Sequence, residues 1–129
     1  MLTNKTYTKE EQKAHRAELV AALRSGKYTQ TMNVLHNTTG FCCLGVACDL
    51  AGVEWKPHPE AIGIFVDDTE TNHTTLPTSV KMYFGFQVSN GTFRDAEGKN
   101  QSLSSLNDTG STFEEIAAII EAEPTGLIY

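Results

Sequence analysis

Thr39-Gly40-Phe41-Cys42-Cys43-Leu44-Gly45-Val46-Ala47-Cys48-Asp49-Leu50-Ala51-Gly52 is the densest apolar run in the chain and holds all three cysteines. Phe41 to Leu44 is β-compatible, and Gly45 breaks the run without forcing a turn. From Cys43 onward, Cys43, Ala47 and Leu50, with Val46 beside them, recur at helical spacing. Gly52 stands where a left-handed C-terminal cap belongs. The spacing predicts a buried helix over residues 43–51, apolar on most sides. Asp49 is its single charge, and a carboxylate there must find donors or sit at the rim.

The cysteines carry two readings. A thiol at a helix N-terminus feels the helix dipole, which lowers its pKa and makes Cys42 or Cys43 a candidate nucleophile. Free cysteine is also a small hydrophobe that prefers the interior, and core packing is the reading burial preference favours. No Cys-x-x-Cys pair occurs, and Cys43 and Cys48 are badly spaced to share a metal, so neither metal nor cofactor is expected.

Working outward, Thr8-Lys9-Glu10-Glu11 forms a capping box for a first helix ending at Ser25-Gly26. Its stripe is Ala14, Ala17, Leu19, Val20 and Leu23, with Arg16 off it or at its edge. Residues 1–7 are a loose lead or short strand. Residues 27–36 alternate weakly through Tyr28, Met32 and Val34. They read as a strand that turns at Asn37-Thr38-Thr39-Gly40 and pairs with Phe41-Cys42. Further strands are expected at 53–56 and 61–66, the second running into a solvated loop at 67–73. Pro77 opens a short helix, from which Val80, Tyr83 and Phe84 point inward, and Gly85 closes it. Asn90-Gly91 between Phe86–Ser89 and Thr92–Asp95 is a two-residue hairpin signal. Residues 95–100 follow as a polar loop, and Leu103 and Leu106 lie on one helical turn. Ser111 and Glu114 form a second capping box, for a helix with a Phe113, Ile116, Ala117, Ile120 stripe that stops before Pro124. The apolar tail Gly126–Tyr129 is expected to dock on the body or on a partner. The fold class is α+β: one domain over 1–129, with two amphipathic helices, a buried central helix and small antiparallel hairpins.

Three segments together resemble a family of small tailed-phage and prophage proteins. The central one matches its F/Y-C-C-L-G-V-x-C-D/E-L signature. Leu23-Arg24-Ser25-Gly26-Lys27-Tyr28 lies upstream, and Leu106 to Ala117, beginning Leu-Asn-Asp, lies downstream. The resemblance implies a phage source and brings no activity. Its relatives often carry a Gly-rich basic turn before the cysteines. Asn37-Thr38-Thr39-Gly40 departs from that, which weakens a phosphate-binding role for the turn.

A formal charge of −6 argues against nucleic-acid binding, because phosphate contacts need a basic face. No apolar run approaches the ~18 residues of a membrane span. An odd number of cysteines and the lack of a signal peptide point to the cytoplasm. The Asn-x-Thr triplets at Asn4, Asn37, Asn72, Asn90 and Asn107 then reflect Thr-rich composition rather than glycosylation.

The expected function is binding, by a host-directed or anti-defence factor that occupies a host protein or sequesters a small nucleotide-like ligand. Its expected contacts are Trp55, Tyr83, Phe86, Arg94 and Tyr129, and the tail could also join copies into a homo-oligomer. The alternative is a hydrolase or transferase with Cys42 or Cys43 as nucleophile. His36, His58 or His73 would be the base, and Asn107 or Asp108 the orienting group. A further alternative is a minor virion or assembly component.

Overall fold

The structure, a computed structural model, describes residues 6–68 and 71–129. The expected lead over residues 1–7 therefore falls largely outside the described residues. Helix α1 is Lys9–Arg24; the Thr8 side chain accepts from the Glu11 amide while Glu11 reaches back to Thr8. Helix α2 is Cys43–Leu50, closed by Ala51, and every residue from Cys43 to Cys48 is buried. The central helix stands where its periodicity put it. Helix α3 is Thr78–Phe84, ending at Gly85 in the left-handed conformation; helix α4 is Leu103–Asp108; and helix α5 is Phe113–Ala122. The α5 stripe of Phe113, Ile116, Ala117 and Ile120 is buried as expected. Its capping box lies one residue later than read, with Thr112 as cap and Glu115 as partner.

The stripe on α1 is displaced from the expected one. Leu19, Val20 and Leu23 face the core, but Ala14 and Ala17 are exposed and Arg16 is buried in their place. Its Nη1 donates to the Phe84 carbonyl, and its Nη2 pairs with Glu123 at 3.1 Å. A guanidinium reaching a helix-end carbonyl can occupy an interior position that hydropathy assigns to alanine.

The strands are short: β1 His36–Asn37, β2 Trp55–Pro57, β3 Ile64–Asp67, β4 Thr92–Arg94 and β5 Asn100–Ser102. One sheet has the order β1-β3-β2, all antiparallel; the other is the β4-β5 pair. Two readings are corrected here. The expected strand over 27–36 is strand only at its end, and β1 pairs with β3 rather than forming a regular hairpin with Phe41-Cys42. A tight turn does close there, with Asn37 N donating to Gly40 O at 3.0 Å and Cys42 N to Leu35 O at 3.1 Å. Likewise, Asn90-Gly91 makes a turn but not a hairpin. Gly91 has φ +73 and Leu103 packed against it, so strand β4 leaves toward β5. The hairpin closes instead at residues 95–99, where Asp95 Oδ1 accepts from the Glu97 and Lys99 amides. Asp carboxylates that take up their own turn amides make such reversals, and Asn-Gly alone does not choose a partner strand.

The solvated loop expected at 67–73 is corrected at its start: Asp67 ends β3 and is fully buried, its Oδ2 accepting from the Asn72 amide at 2.6 Å. The C-terminal tail docks on the body. Leu127 is buried, its carbonyl accepts from Gln87 N, and Tyr129 N donates to Gly85 O. Ile128 pairs with Phe86, which lies entirely inside.

Candidate functional site

An aromatic face forms where the end of α1, the entrance to α2 and the three-stranded sheet meet. Tyr28 follows the left-handed Gly26 that stops α1. Phe41 immediately precedes the α2 entrance, and Trp55 and Phe65 come from β2 and β3. His36 is the register partner of Phe65, which brings its ring between two others. It stacks on Phe41 at 3.8 Å and on Phe65 at 4.6 Å, with Trp55 edge-on at 5.1 Å. Tyr28 meets Phe41 edge to face at 5.1 Å. All five rings are half-buried, and Tyr28, Phe41 and Trp55 pack against the core.

Asp49 ties this face together. Its Oδ2 accepts from the Tyr28 hydroxyl at 2.7 Å, and its Oδ1 accepts from the Trp55 indole at 3.2 Å. The lone charge of the central helix thus finds its donors on two aromatic side chains. Burial first, and the bond to Asp49 second, push the Tyr28 phenol up to about 12. It stays a donor through the physiological range.

The thiols face the opposite way, into the body. Cys42, Cys43 and Cys48 are free and buried. Cys42 caps α2, its Sγ accepting from Gly45 N at 3.4 Å, and Cys43 Sγ donates to Leu103 O at 3.6 Å. Burial outweighs the helix amides. It pushes the Cys42 thiol up to about 11 and Cys43 and Cys48 well above their ordinary range. Asn107 is wholly buried behind them. Its Oδ1 accepts from Cys43 N and Gln30 Nε2, and its Nδ2 donates to Thr31 O and Asp108 Oδ1. Asp108 also accepts from Asn33 N at 2.8 Å, holding Asn33 at φ +71. Asn107 and Asp108 lie beside the thiols, but their bonds to the backbone of Thr31, Asn33 and Cys43 and to the Gln30 side chain hold the 30–33 segment on the α2 entrance. His36 directs Nδ1 to Gly40 O at 2.8 Å, and His58 Nδ1 accepts from the Glu60 and Ala61 amides. His73 stacks edge-on with His58 at 5.1 Å.

This packing carries an expected result. With Cys42 ionising near 11, fewer than about one thiol in a thousand is thiolate at neutral pH. Iodoacetamide should leave all three cysteines unmodified in the native protein and label them in urea. A folded-state pKa raised above the ordinary 9.0 gives stability that is complete below pH 9 and lost as pH climbs toward about 11. Urea midpoints measured from pH 7 to 11 should therefore fall over that alkaline window.

A family model described as a domain of unknown function (DUF8296) matches residues 10–124. The chain belongs to the DUF8296 family. No curated protein and no solved structure matches it. The matched span carries the whole aromatic face and Asn107, and it stops just short of the docked tail.

Within this DUF8296 domain the five expected contact residues are not brought together. Trp55 belongs to the aromatic face. Tyr83 stacks on His15 at 3.7 Å, with Tyr7 edge-on at 5.2 Å. Tyr129 is 59 % exposed beneath Lys9, whose Nζ lies 5.9 Å from the ring. Arg94 is exposed on β4. Phe86 is corrected: it is fully buried and offers nothing to a partner. Sequence reasoning missed Tyr28, Phe41, Asp49 and His36 as one ring-lined patch. The available signal was Asp49, a single carboxylate on an apolar helix that demanded polar partners.

A second recess of about 140 Å³ lies between α1 and α5, lined by Lys13, Arg16, Ala17, Val20, Ile120 and Glu123 among others. The β4-β5 pair carries an open polar hollow lined by Asn90, Thr92, Asn100 and Gln101 among others. No cluster of three or more His, Cys, Asp or Glu side chains able to hold a metal occurs among the described residues. No helix among them is long and apolar enough to cross a membrane.

Proposed function

We propose that this DUF8296 protein acts by binding, as a phage-type factor in the host cytoplasm. In this reading it occupies a host protein or sequesters a small nucleotide-like ligand, in a host-directed or anti-defence role. The observation that carries the reading is the half-buried aromatic face around Trp55, two of whose rings, Tyr28 and Trp55, are held by Asp49. Fixed aromatic rings offer large contact area at low ordering cost, and Trp and Tyr dominate binding hot spots. The buried, protonated thiols support binding over covalent catalysis.

Trp55 is the only tryptophan of the chain, which makes the site its own reporter. Protein recovered from bacterial host cells and analysed by native mass spectrometry should carry a defined ligand or partner. Trp55→Leu should lose it, and Trp55 emission should shift when it is added back. Bare protein from every host extract, with Trp55 emission unmoved by any of them, would overturn the proposal.

A further inference from the structure

The charge around the aromatic face selects what the face can hold. The two groups bound to Asp49 are a phenol and an indole, both neutral, so its negative charge is not cancelled. Asp49 has no Lys, Arg or His ion-pair partner among the described residues. Both bonds draw Tyr28 and Trp55 toward this carboxylate, and Phe41 stands beside each ring, at 5.1 and 6.1 Å. Aromatic faces carry the negative end of the ring quadrupole, so rings and carboxylate add in sign.

The Glu54 amide donates to Asp68 Oδ1 at 3.3 Å, and Asp68 Oδ2 is buried without a hydrogen-bond partner among the described residues. Glu54 and Lys56 flank Trp55, and strand alternation sends both to the other side of the sheet, where their charges oppose. The whole chain carries −6. A phosphate here would meet a carboxylate, ring faces and no facing guanidinium, since Arg16 is tied to Glu123 just past α5, Arg24 to Glu114 and Glu121 on α5, and Arg94 sits on the other sheet.

We propose that the aromatic face takes a cationic side chain, lysine or arginine, from a basic segment of a partner protein. The cation lies over the rings of Tyr28, Phe41 and Trp55 with Asp49 behind it. This deepens the binding reading above and rests on it. Acidic and aromatic surfaces recognise basic segments by long-range attraction first and ring contact second.

The test is titration of Trp55 emission with three probes: hexa-arginine, hexaglutamate and AMP. Hexa-arginine should shift the emission, less so at high salt, and hexaglutamate should leave it unchanged. Asp49→Asn keeps an acceptor for the indole and removes the charge, and it should weaken hexa-arginine binding about tenfold. Glu97→Gln, on the exposed β4-β5 turn, removes one charge elsewhere and should change binding less than about twofold. If Asp49→Asn fails to fold by circular dichroism, Tyr28→Leu removes a ring instead and should weaken binding several-fold. Equal losses for Asp49→Asn and Glu97→Gln would overturn the assignment, because attraction would then be diffuse. AMP binding with hexa-arginine inert would overturn the cationic occupant and leave the binding reading standing. Silence toward every probe and every host extract would bring down both.

Discussion

Gly45→Ala should destroy the native fold, although intrinsic propensity points the other way. In an exposed helix interior the change stabilises by about 1 kcal/mol. Gly45 is buried in α2, and a methyl built there would sit 1.8 Å from the Leu35 carbonyl oxygen and 2.7 Å from its carbon. These are backbone atoms, so no rotamer change relieves the overlap. The same carbonyl accepts from Cys42 N at 3.1 Å, and Leu35 itself is wholly buried. Separating the segments forfeits that bond and opens the core around Leu35, a cost of more than about 4 kcal/mol. Gly98→Ala is the comparison: nothing lies within 4 Å of its added methyl, and only the φ of +80 opposes it. It should cost about 1 kcal/mol. Urea unfolding followed by circular dichroism separates the two, and a Gly45→Ala protein as stable as the parent would mean that α2 does not touch the 35 segment.

Asn107→Ala is the second large loss expected. Asn107 joins three pieces of chain that share no regular hydrogen-bond ladder: the 30–31 segment, the α2 entrance and α4. Truncation leaves Cys43 N and Thr31 O without these partners in a buried place. A stranded buried polar group costs about 1–3 kcal/mol, and network members cost more together than singly. The expected loss is about 3–5 kcal/mol, a drop of roughly 10 °C or more in Tm for a domain of this size. Asn107→Asp should also destabilise, because it deletes both donors and sets a second carboxylate beside Asp108. A Tm within about 2 °C of the parent for Asn107→Ala would show that the network is not structural.

In sequence the Leu106-Asn107-Asp108 segment reads as a turn before a capped helix, and local turn chemistry explains such residues adequately. The tertiary structure gives them more to do. Asp108 holds Asn33 at positive φ across the chain, and Asn107 accepts the first amide of a helix 64 residues away in sequence. Sequence has no signal for this, since a side-chain amide satisfies distant and local backbone equally well.

Arg16 and Asp49 make the same point from opposite sides. Both are charges on helices that apolar periodicity describes well. Periodicity placed Asp49 correctly as a charge in need of donors, yet its partners, Tyr28 and Trp55, come from segments that matched no clear pattern. Arg16 reads in sequence as off the α1 stripe or at its edge and lies inside it, because the α3 end supplies a carbonyl and the α5 end a carboxylate.

The helices of this protein were written into the local chain: Thr8 with Glu11, the apolar stripe of α5 and the glycine stops are decided within a few residues of where they act. Strand partners, the aromatic face and the buried polar hub were decided only in three dimensions. Strands of two to four residues carry too little pattern to choose a neighbour, so only the folded chain fixes their partners and register. A carboxylate seeking donors reads the same in sequence whichever rings it will bind, and only the folded chain brings those rings within reach.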